Sequence, residues 1–451
     1  MPFAFPNDEQ TTKTMDIKKY LTAHRDYCRA ELTDNIMPFW MEHGFDRENG
    51  GVYTCLDRDG TLMDSTKSVW FQGRFGFTTA FAVNNILGTC TTDKVRREEW
   101  LAASKSCLDF IDAHCFDTDG HMFFEVMADG TPLRKRRYVF SEGFAAIANS
   151  EYSLATGDKS HAERAVEIFE SIIRMLNTPD FLPAKYLPAQ ESRGHSITMI
   201  LVNTAARIRE AVERFGIGTI KLWDGREVAA WDFLTGEIDK SIHALRTYFM
   251  HPEYKALLEC VGPNGEFIDN INGRLINPGH CIETAWFILE EAKYRAKKIA
   301  EGKMLVAGEL TAKGWPKDLV DMGLTILDWS WEWGWDEQYG GIINFRDCKA
   351  FPQQDYSQDM KFWWPQCETM IACLYAYQAT GDEHWLKRHQ TITEWTLGHF
   401  PDRACGEWYG YLHRDGTVAQ PAKGNIFKGP FHVPRMFTKS YMLCEELLAD
   451  A

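Results

Sequence analysis

Apolar residues return every three or four positions through long stretches of the chain, as in the segments that begin at Thr14 and Ser160. This spacing places the apolar side chains on one face and predicts amphipathic helices. Short apolar segments punctuated by glycine lie between these stretches and predict antiparallel hairpins. A hairpin and its following helix recur at least five times, with hairpins that begin at Phe45, Phe116, Gly262, Trp335 and Ala404.

The recurrence predicts one architecture for the whole chain. Because a single unit has too little apolar surface to fold alone, the set predicts one domain over residues 1–451, with residues 1–15 as a flexible amino-terminal extension. The segments ATGDK from Ala155 and ATGDE from Ala379 predict that Gly ends one helix and Asp starts the next. The resulting order predicts an all-α fold, most simply a closed ring of helical hairpins that presents its loops and helix starts at one rim.

Composition narrows the class of partner. Apolar residues make up 45% of the chain and aromatic residues 13%, and 16 Trp are enough to line a cavity. A formal net charge of -15 disfavours nucleic acid and anionic membranes and suits a small, uncharged or modestly charged ligand. Neither a targeting signal nor a membrane-spanning apolar run is visible. Twelve Cys without CxxC pairs indicate reduced thiols in a cytoplasmic protein and argue against a zinc site.

Two histidines at predicted helix starts are candidate bases. His280 and Glu283 are three residues apart, so a helix places both on one face, where the carboxylate can orient the imidazole. His432 lies between two prolines that restrict the backbone, and Arg435 follows three residues later. A hydrogen-bonded structural histidine is the ordinary alternative for each.

Two further charged residues sit in otherwise apolar helices. Glu368 precedes MIACLYAY and Arg74 lies in VWFQGRFGF, where an unpaired charge is costly to bury. The two could simply form an ion pair with each other across the core. The position of these residues within the repeats favours a functional role over a structural one. Five residues occur at corresponding points of successive repeats, so closure of the ring would bring them to a common centre: Arg74, Glu142, His280, Glu368 and His432.

Two imidazoles that face each other across a cavity suit removal of a proton from one face of a carbon and its return to the other face. An open-chain sugar has an acidified proton at C2, and a nearby Arg would stabilise the oxyanion that forms. Epimerisation or isomerisation of a sugar is therefore the predicted reaction, and it requires no cofactor. The chain has no GxGxxG after a strand and no GxxxxGK[ST], so nicotinamide and phosphoryl-transfer chemistry have no support.

Seven segments carry a resemblance to a known family: FWMEHGFDRENGGVYTCLDRDG, KSVWFQGRFGF, NPGHCIETAWFILE, GWDEQYGGIINF, MKFWWPQCETMIA, GEWYGYLHRDG and GPFHVPRMF. In these motifs and their order the chain resembles the N-acylglucosamine 2-epimerase family from about Phe39 to the carboxyl end. The resemblance implies an (α/α)6 barrel with short antiparallel β-hairpins at one rim, commonly dimeric. It also implies interconversion of N-acetylglucosamine and N-acetylmannosamine through ring opening and deprotonation at C2.

The same resemblance implies roles for individual residues. By motif, His280 in NPGH and His432 in GPFHVPR correspond to the two bases, with Glu283 assisting His280. Glu368 in WWPQCE resembles the family carboxylate near the C1 and C2 oxygens of the sugar.

A second group of residues is implied to bind the substrate. Arg74 in WFQGR resembles the guanidinium that holds the sugar oxygens, and Arg435 is expected to assist it. His195, in ESRGHSITMILVN, lies where relatives place a further histidine that helps ring opening. No metal is expected. Some family members are stimulated by a nucleotide that is not consumed, but ATGDKSHAER lacks the Gly/Lys pattern of a phosphate loop and gives an ATP effector no support.

Three other readings stay open from the sequence. The substrate could be a hexose or a disaccharide, as in the cellobiose 2-epimerases and the mannose or sulfoquinovose isomerases of the family. An inverting glycoside hydrolase would use two carboxylates around a water, for which Glu142 and Glu368 are the candidates, but it leaves both histidines unexplained. A non-catalytic binding protein is the third, because a mammalian relative is also described as a renin-binding partner.

Overall fold

The computed structural model describes residues 16–136, 138–183, 185 and 188–450, so the predicted extension at residues 1–15 lies outside the described part of the chain. Twelve long helices account for most of that part. They are, in chain order, α1 (Ile17–Glu31), α2 (Val69–Asn85), α3 (Thr91–His114), α4 (Phe140–Thr156), α5 (Lys159–Asn177), α6 (His195–Phe215), α7 (Ala230–Ala244), α8 (Pro278–Ala300), α9 (Lys317–Gly334), α10 (Trp363–Thr380), α11 (Glu383–His399) and α12 (His432–Ala449). Short helical segments continue α1 (Leu32–Ile36, Met37–Phe39 and Trp40–Gly44) and α7 (Leu245–Phe249), and Pro188–Gln190 forms a 3-10 turn.

The even-numbered helices form an inner ring and the odd-numbered helices an outer ring. Each inner helix packs against the next, from α2 to α12, and α12 packs back against α2. Each outer helix packs beside an inner one, and α1 closes the barrel by packing against α12. This arrangement confirms the predicted all-α fold and the (α/α)6 barrel.

Local sequence explains where two of these helix pairs turn. Gly157 and Gly381 follow α4 and α10 in the left-handed region, at φ of 80° and 75°, which glycine adopts without strain. The side chains of Asp158 and Asp382 then accept hydrogen bonds from the backbone amides that open α5 and α11, each at 2.9 Å. The prediction from the two ATGD segments is confirmed.

Short strands connect the helices. They are β1 (Cys55–Leu56), β2 (Leu62–Asp64), β3 (Lys67–Ser68), β4 (Phe123–Val126), β5 (Pro132–Lys135), β6 (Arg193–Gly194), β7 (Thr219–Lys221), β8 (Glu227–Ala229), β9 (Met250–His251), β10 (Ala256–Leu257), β11 (Cys260–Val261), β12 (Leu275–Ile276), β13 (Arg346–Asp347), β14 (Lys361–Phe362), β15 (Tyr411–Leu412) and β16 (Val418–Gln420). The hairpin of β7 and β8 connects the end of α6 to the start of α7, and the other strands form the rim at which the inner helices begin.

All strand pairs among the described residues are antiparallel. The strand directly before an inner helix pairs with a strand of a later unit, so that β3 pairs with β4, β6 with β11, β12 with β13 and β14 with β15. These pairings join the start of each of those inner helices to a hairpin of the following unit.

Buried ion pairs between lysine and aspartate attach hairpins to this rim. The pairs are Lys67 with Asp46 at 2.7 Å, Lys361 with Asp336 at 2.9 Å and Lys423 with Asp402 at 2.8 Å. All six side chains are buried, and a buried ammonium stays charged only where a carboxylate and further acceptors surround it. Lys67 also donates to the backbone oxygens of Gly50 and Ala128. Lys67 and Lys361 lie two residues before the first residues of α2 and α10, so these ion pairs fix the backbone from which the two helices start.

Two histidines lie buried where outer helices meet near the closure of the ring. His24 of α1 and His389 of α11 are edge to face, with ring centroids 4.6 Å apart. The Tyr20 hydroxyl is 2.7 Å from Nδ1 of His389. Burial lowers the pKa of His24 to about 4, and burial together with His24 lowers the pKa of His389. Both imidazoles are therefore neutral in the folded protein at neutral pH.

The two buried neutral histidines are expected to make the folded protein less stable in acid. The pKa of His24 is lower in the folded than in the unfolded chain, so below about pH 6.5 the unfolded chain takes up a proton that the folded chain does not. The free energy of unfolding is expected to fall by about 2 kcal/mol between about pH 7.5 and about pH 5 from His24 alone. Denaturant unfolding of wild type and His24→Gln at both pH values measures this, with the exposed His384→Gln as control. An equal pH dependence in wild type and His24→Gln would contradict it.

Candidate active site

A large cavity opens at the rim, where the inner helices begin. Its volume is about 1470 Å³. Side chains from the first two turns of the inner helices line it, including Arg74 of α2, His280 and Glu283 of α8, and His432 of α12. Of the five residues predicted to meet at one centre, the structure brings Arg74, His280 and His432 to this cavity.

His432 is held from behind by a buried carboxylate. As the first residue of α12, it donates from Nδ1 to Oε1 of Glu368 at 2.7 Å. The same oxygen accepts from Nη2 of Arg435 at 2.7 Å, and Oε2 accepts from the indole N–H of Trp286 at 2.9 Å. With Nδ1 protonated by this pairing, Nε2 carries the free lone pair of the imidazole.

The surroundings of His432 favour the neutral imidazole. Burial lowers the pKa of His432 well below its ordinary value, and the Arg435 guanidinium, with Nη2 3.4 Å from Nδ1, lowers it further. A neutral imidazole with an available nitrogen is a general base at neutral pH.

His280 is held by a different carboxylate from the one predicted. Its Nδ1 donates to Oε1 of Glu259 at 2.9 Å, and Nδ1 of His195 is 3.3 Å from the same oxygen. Nε2 of His195 donates to the hydroxyl of Thr284 at 2.9 Å, because that hydroxyl already donates to the backbone oxygen of His280. Glu259 thus lies between two imidazoles.

The pKa of His280 is shifted in the direction opposite to that of His432. Burial opposes protonation of His280, but the Glu259 carboxylate outweighs it and raises the pKa of the imidazole. The two histidines in turn hold the pKa of Glu259 well below its usual range. Neighbours that push two titratable groups in opposite directions define an acid and a base.

Trp364 connects the two imidazoles. Its ring centroid lies 5.2 Å from that of His280 and 5.7 Å from that of His432. Gly279, directly before His280, makes this approach possible, because a Cβ at this position would lie 2.5 Å from the indole ring. The glycine of the NPGH motif therefore positions the aromatic wall between the two histidines.

Arg74 projects from α2 into an aromatic cage. Its guanidinium carbon lies 4.2 Å from the ring centroid of Phe144 and 4.6 Å from that of Phe431. Burial lowers the pKa of the guanidinium to about 9, which leaves it protonated at neutral pH. The alternative ion pair of Arg74 with Glu368 does not form, because Glu368 pairs with Arg435.

The structure corrects several predicted contacts. Glu283 was expected to assist His280, but its Oε1 accepts a hydrogen bond from Arg435. Glu368 and Arg435, expected at the sugar oxygens, are 0% and 3% exposed and lie behind His432. His195, also expected to contact the sugar, is fully buried behind Glu259. These three side chains therefore support the imidazoles from behind the cavity wall.

The supporting residue that sequence reasoning missed is Glu259. It lies in the connection between β10 and β11, 21 residues before His280. Its backbone amide donates to the backbone oxygen of Leu275 at 3.0 Å, which brings Glu259 next to the start of α8. No spacing rule links positions this far apart. The one available signal was a carboxylate in a hairpin next to a predicted strand.

Glu142 was expected at the common centre and is not there. Its Oε1 accepts from the backbone amide of Met122 and from Nδ1 of His121, both at 2.6 Å, and it does not line the cavity. Gln72 and Gln366 bind the hairpins of their own units in the same way, through the backbone of Val52 and Ile342. Glu142 is in register with these glutamines and not with Arg74. The glycosidase alternative thereby loses its carboxylate pair at the cavity.

Two groups of side chains come close enough to hold a metal ion. They are His195, Glu259 and His280, and Glu283, Glu368 and His432, with potential ligand atoms within 4.8 Å of one another in each group. Internal hydrogen bonds account for both arrangements, and the Arg435 guanidinium would repel a cation from the second.

Of the helices in the described ranges, none has the length and apolarity needed to span a bilayer.

Fold and site together define a carbohydrate epimerase, an isomerase built on an (α/α)6 barrel, and comparison with known proteins agrees. The model of the N-acylglucosamine 2-epimerase (GlcNAc 2-epimerase) family matches residues 50–428. N-acylglucosamine 2-epimerase of Bos taurus is 32% identical over 95% of this chain and 92% of its own length. The human protein of that name is also 32% identical, over 96% and 91%. The solved structure of cellobiose 2-epimerase from Bacillus thermoamylovorans B4167 superposes with a TM-score of 0.73 at 19% identity, covering 93% of this chain and 99% of its own.

The chain belongs to the N-acylglucosamine 2-epimerase family. The family resemblance inferred from the seven motifs is confirmed, as is the prediction of a sugar-converting enzyme.

The opposite pKa shifts of the two histidines can be measured directly. In NMR titrations of labelled protein, His280 is expected to titrate above the ordinary imidazole range and His432 below it. Glu259→Gln removes the adjacent negative charge and is expected to lower the pKa of His280. Glu253→Gln changes an exposed carboxylate on a neighbouring turn and serves as control. A pKa of His280 that is unchanged in Glu259→Gln would refute this electrostatic assignment.

Proposed function

We propose that this enzyme interconverts N-acetylglucosamine and N-acetylmannosamine by deprotonation and reprotonation at C2 of the open-chain sugar. One observation carries the proposal: two imidazoles line the same cavity, and each donates a hydrogen bond to its own carboxylate. Their pKa values are shifted in opposite directions. The choice of sugar rests on the bovine and human relatives, which are named for it and match nearly the whole chain.

The proposed chemistry needs only proton transfer. Neutral His432 takes the C2 proton through Nε2. The electron pair of the broken C–H bond forms a C1–C2 double bond, and the π pair of the carbonyl moves to the C1 oxygen, which gives an enolate. The Arg74 guanidinium lines the cavity and stabilises the negative charge on that oxygen. Protonated His280 then delivers a proton to C2 from the opposite face and restores the carbonyl with inverted configuration. His432 is now charged and His280 neutral, which is the state required for the reverse reaction.

The remaining side chains hold this geometry. Glu368 fixes the ring of His432 and its Nδ1 proton, and Glu259 does the same for His280. Trp364 provides an apolar face between the two imidazoles, against which the sugar carbons can pack. Glu283 lines the cavity and offers a carboxylate oxygen to the hydroxyls of the sugar.

The predicted setting of the enzyme is part of the same proposal. Proton exchange between imidazole and carbon uses neither a redox group nor a phosphate donor, which supports the proposal that the enzyme acts without a cofactor. Assembly as a homodimer and a cytoplasmic location stay predictions. Light scattering and fractionation of cells that express the chain test them.

Exchange of the C2 proton with solvent tests both the reaction and the substrate. In D2O, N-acetylmannosamine and N-acetylglucosamine are expected to incorporate deuterium at C2 and to interconvert, as followed by NMR. Both His280→Asn and His432→Asn are expected to lower this exchange by at least about 100-fold, because each removes a proton-transfer group. The exposed His384→Asn is the control. Near-normal exchange in either site variant would remove that histidine from the mechanism, and exchange with only mannose or cellobiose would change the substrate.

The expected pH dependence of the reaction follows from the pKa shifts of His432 and His280. With neutral His432 as base and charged His280 as acid, activity is expected to be highest at neutral pH, to fall in acid as His432 is protonated and to fall in alkali as His280 loses its proton. Glu259→Gln is expected to move the alkaline limb of kcat/KM to lower pH and to leave the acid limb in place. If the alkaline limb does not move in Glu259→Gln, loss of the His280 proton is not the cause of that limb.

A further inference from the structure

One side of the cavity is apolar where the inner helices begin. The helices α2, α8 and α12 contribute the charged and imidazole side chains that the proposed mechanism uses. The helices α4 and α6 contribute four apolar side chains and one hydroxyl, which together form the apolar wall: Phe140, Phe144, Ser196, Met199 and Ile200. An unmodified hexose carries oxygen on every carbon, so this wall favours a substituent that brings carbon atoms of its own.

The apolar wall begins and ends beside the groups that act at C1 and C2. At one end, the guanidinium carbon of Arg74 lies 4.2 Å from the ring centroid of Phe144. At the other end, Ser196 follows His195, whose ring centroid lies 6.3 Å from that of His280. The wall therefore spans the distance between the guanidinium assigned to the C1 oxygen and one of the imidazoles assigned to C2.

The helix α6 provides the part of this wall that lies on the helix next to α8. Ser196, Met199 and Ile200 form the α6 face, because a spacing of three and four residues places them on one side of the helix. Met199 and Ile200 are 5% and 9% exposed. The hydroxyl of Ser196 has no hydrogen-bond partner among the residues that the structure describes. A free hydroxyl beside two apolar side chains suits a group with one carbonyl and a short alkyl chain.

Hydrogen bonds fix the start of α6 relative to His280. The backbone amide of His195 donates to the backbone oxygen of Glu259 at 3.0 Å. The imidazole of His195 donates to the hydroxyl of Thr284, one turn beyond His280, at 2.9 Å. Pairing of β6 with β11 holds the residues directly before α6 against the same connection. A ligand therefore meets the α6 face in a fixed position and does not have to order it.

The direction of the C2 substituent follows from the proposed reaction. Deprotonated C2 is planar, and its two faces belong to the two histidines, so its three substituents lie in the plane between them. Arg74 holds the oxygen of C1, C3 leads toward the mouth of the cavity, and the nitrogen is the third substituent.

We propose that the α6 face is the subsite for the acyl group on this nitrogen. The Ser196 hydroxyl donates to the acyl oxygen, and the side chains of Met199 and Ile200 contact the acyl carbons. This inference rests on the proposed function and names the residues that select the substituent at C2 and limit the length of its acyl chain.

Removal of one hydroxyl tests the polar contact. Ser196→Ala is expected to raise KM for N-acetylmannosamine at least about fivefold, because the acyl oxygen loses its donor. Ser196→Thr keeps a hydroxyl and is expected to stay within about threefold of wild type. The measurement is the initial rate of deuterium incorporation at C2 in D2O, followed by NMR. Thr198→Val removes a hydroxyl of the same helical turn that does not line the cavity, and it serves as control.

A change of acyl length tests the apolar contact. Ile200→Ala removes three side-chain carbons, and N-pentanoylmannosamine carries three more carbons than N-acetylmannosamine. The variant is expected to raise the ratio of kcat/KM for the pentanoyl over the acetyl sugar at least about tenfold, and Ile200→Val is expected to raise it less. Because the ratio compares two substrates of one enzyme, it does not depend on the folded fraction. Val202→Ala truncates a buried side chain of α6 away from the cavity and is the control.

The outcomes separate this inference from the function on which it rests. If wild type exchanges the C2 proton of N-acetylmannosamine but Ser196→Ala leaves KM unchanged, the hydroxyl does not bind the acyl oxygen. An unchanged ratio in both Ile200 variants overturns the apolar contact. Either result leaves the epimerase proposal standing. Absence of exchange with both N-acyl sugars in wild type overturns the proposed function and this inference together.

Discussion

The buried carboxylate of Glu368 is the interaction on which the centre depends. From α10 it accepts hydrogen bonds from Trp286 of α8 and from His432 and Arg435 of α12, so that three inner helices meet at one side chain. A fully buried carboxylate is costly unless all its lone pairs are used, and here each oxygen has a donor. The same bonds that satisfy the charge fix the ring and the tautomer of His432.

The two imidazoles share a design, but their pKa values are shifted in opposite directions. Each donates its Nδ1 proton to a glutamate, which leaves Nε2 as the nitrogen that exchanges protons with the substrate. Arg435 lies next to His432 and disfavours a second positive charge, whereas His280 has Glu259 as a close counter-charge. One fold thus produces a base and an acid from the same residue type, through the neighbours that the surrounding helices and loops supply.

The rim shows how a repeated scaffold supports unequal chemistry. Two units hold their hairpins in the same way, each through one buried lysine and one buried glutamine. These are Lys67 and Gln72 in the unit of α2, and Lys361 and Gln366 in the unit of α10. Two residues beyond each glutamine the units differ, with Arg74 in one and Glu368 in the other. Arg74 remains available to a ligand, while Glu368 is used inside the wall. The constant positions give the geometry and the variable positions give the function.

The amino-acid sequence by itself determined the repeat, the helix starts and the convergence of Arg74, His280 and His432, because periodicity, capping residues and motif spacing are local properties. It did not determine which carboxylate faces which imidazole. Glu259 reaches His280 only after its backbone pairs with the residues before α8, Glu283 turns to Arg435 on another helix, and Glu142 sits two positions out of the assumed register, where it binds a hairpin. Ion-pair partners depend on ring closure and side-chain direction, which only the tertiary structure fixes.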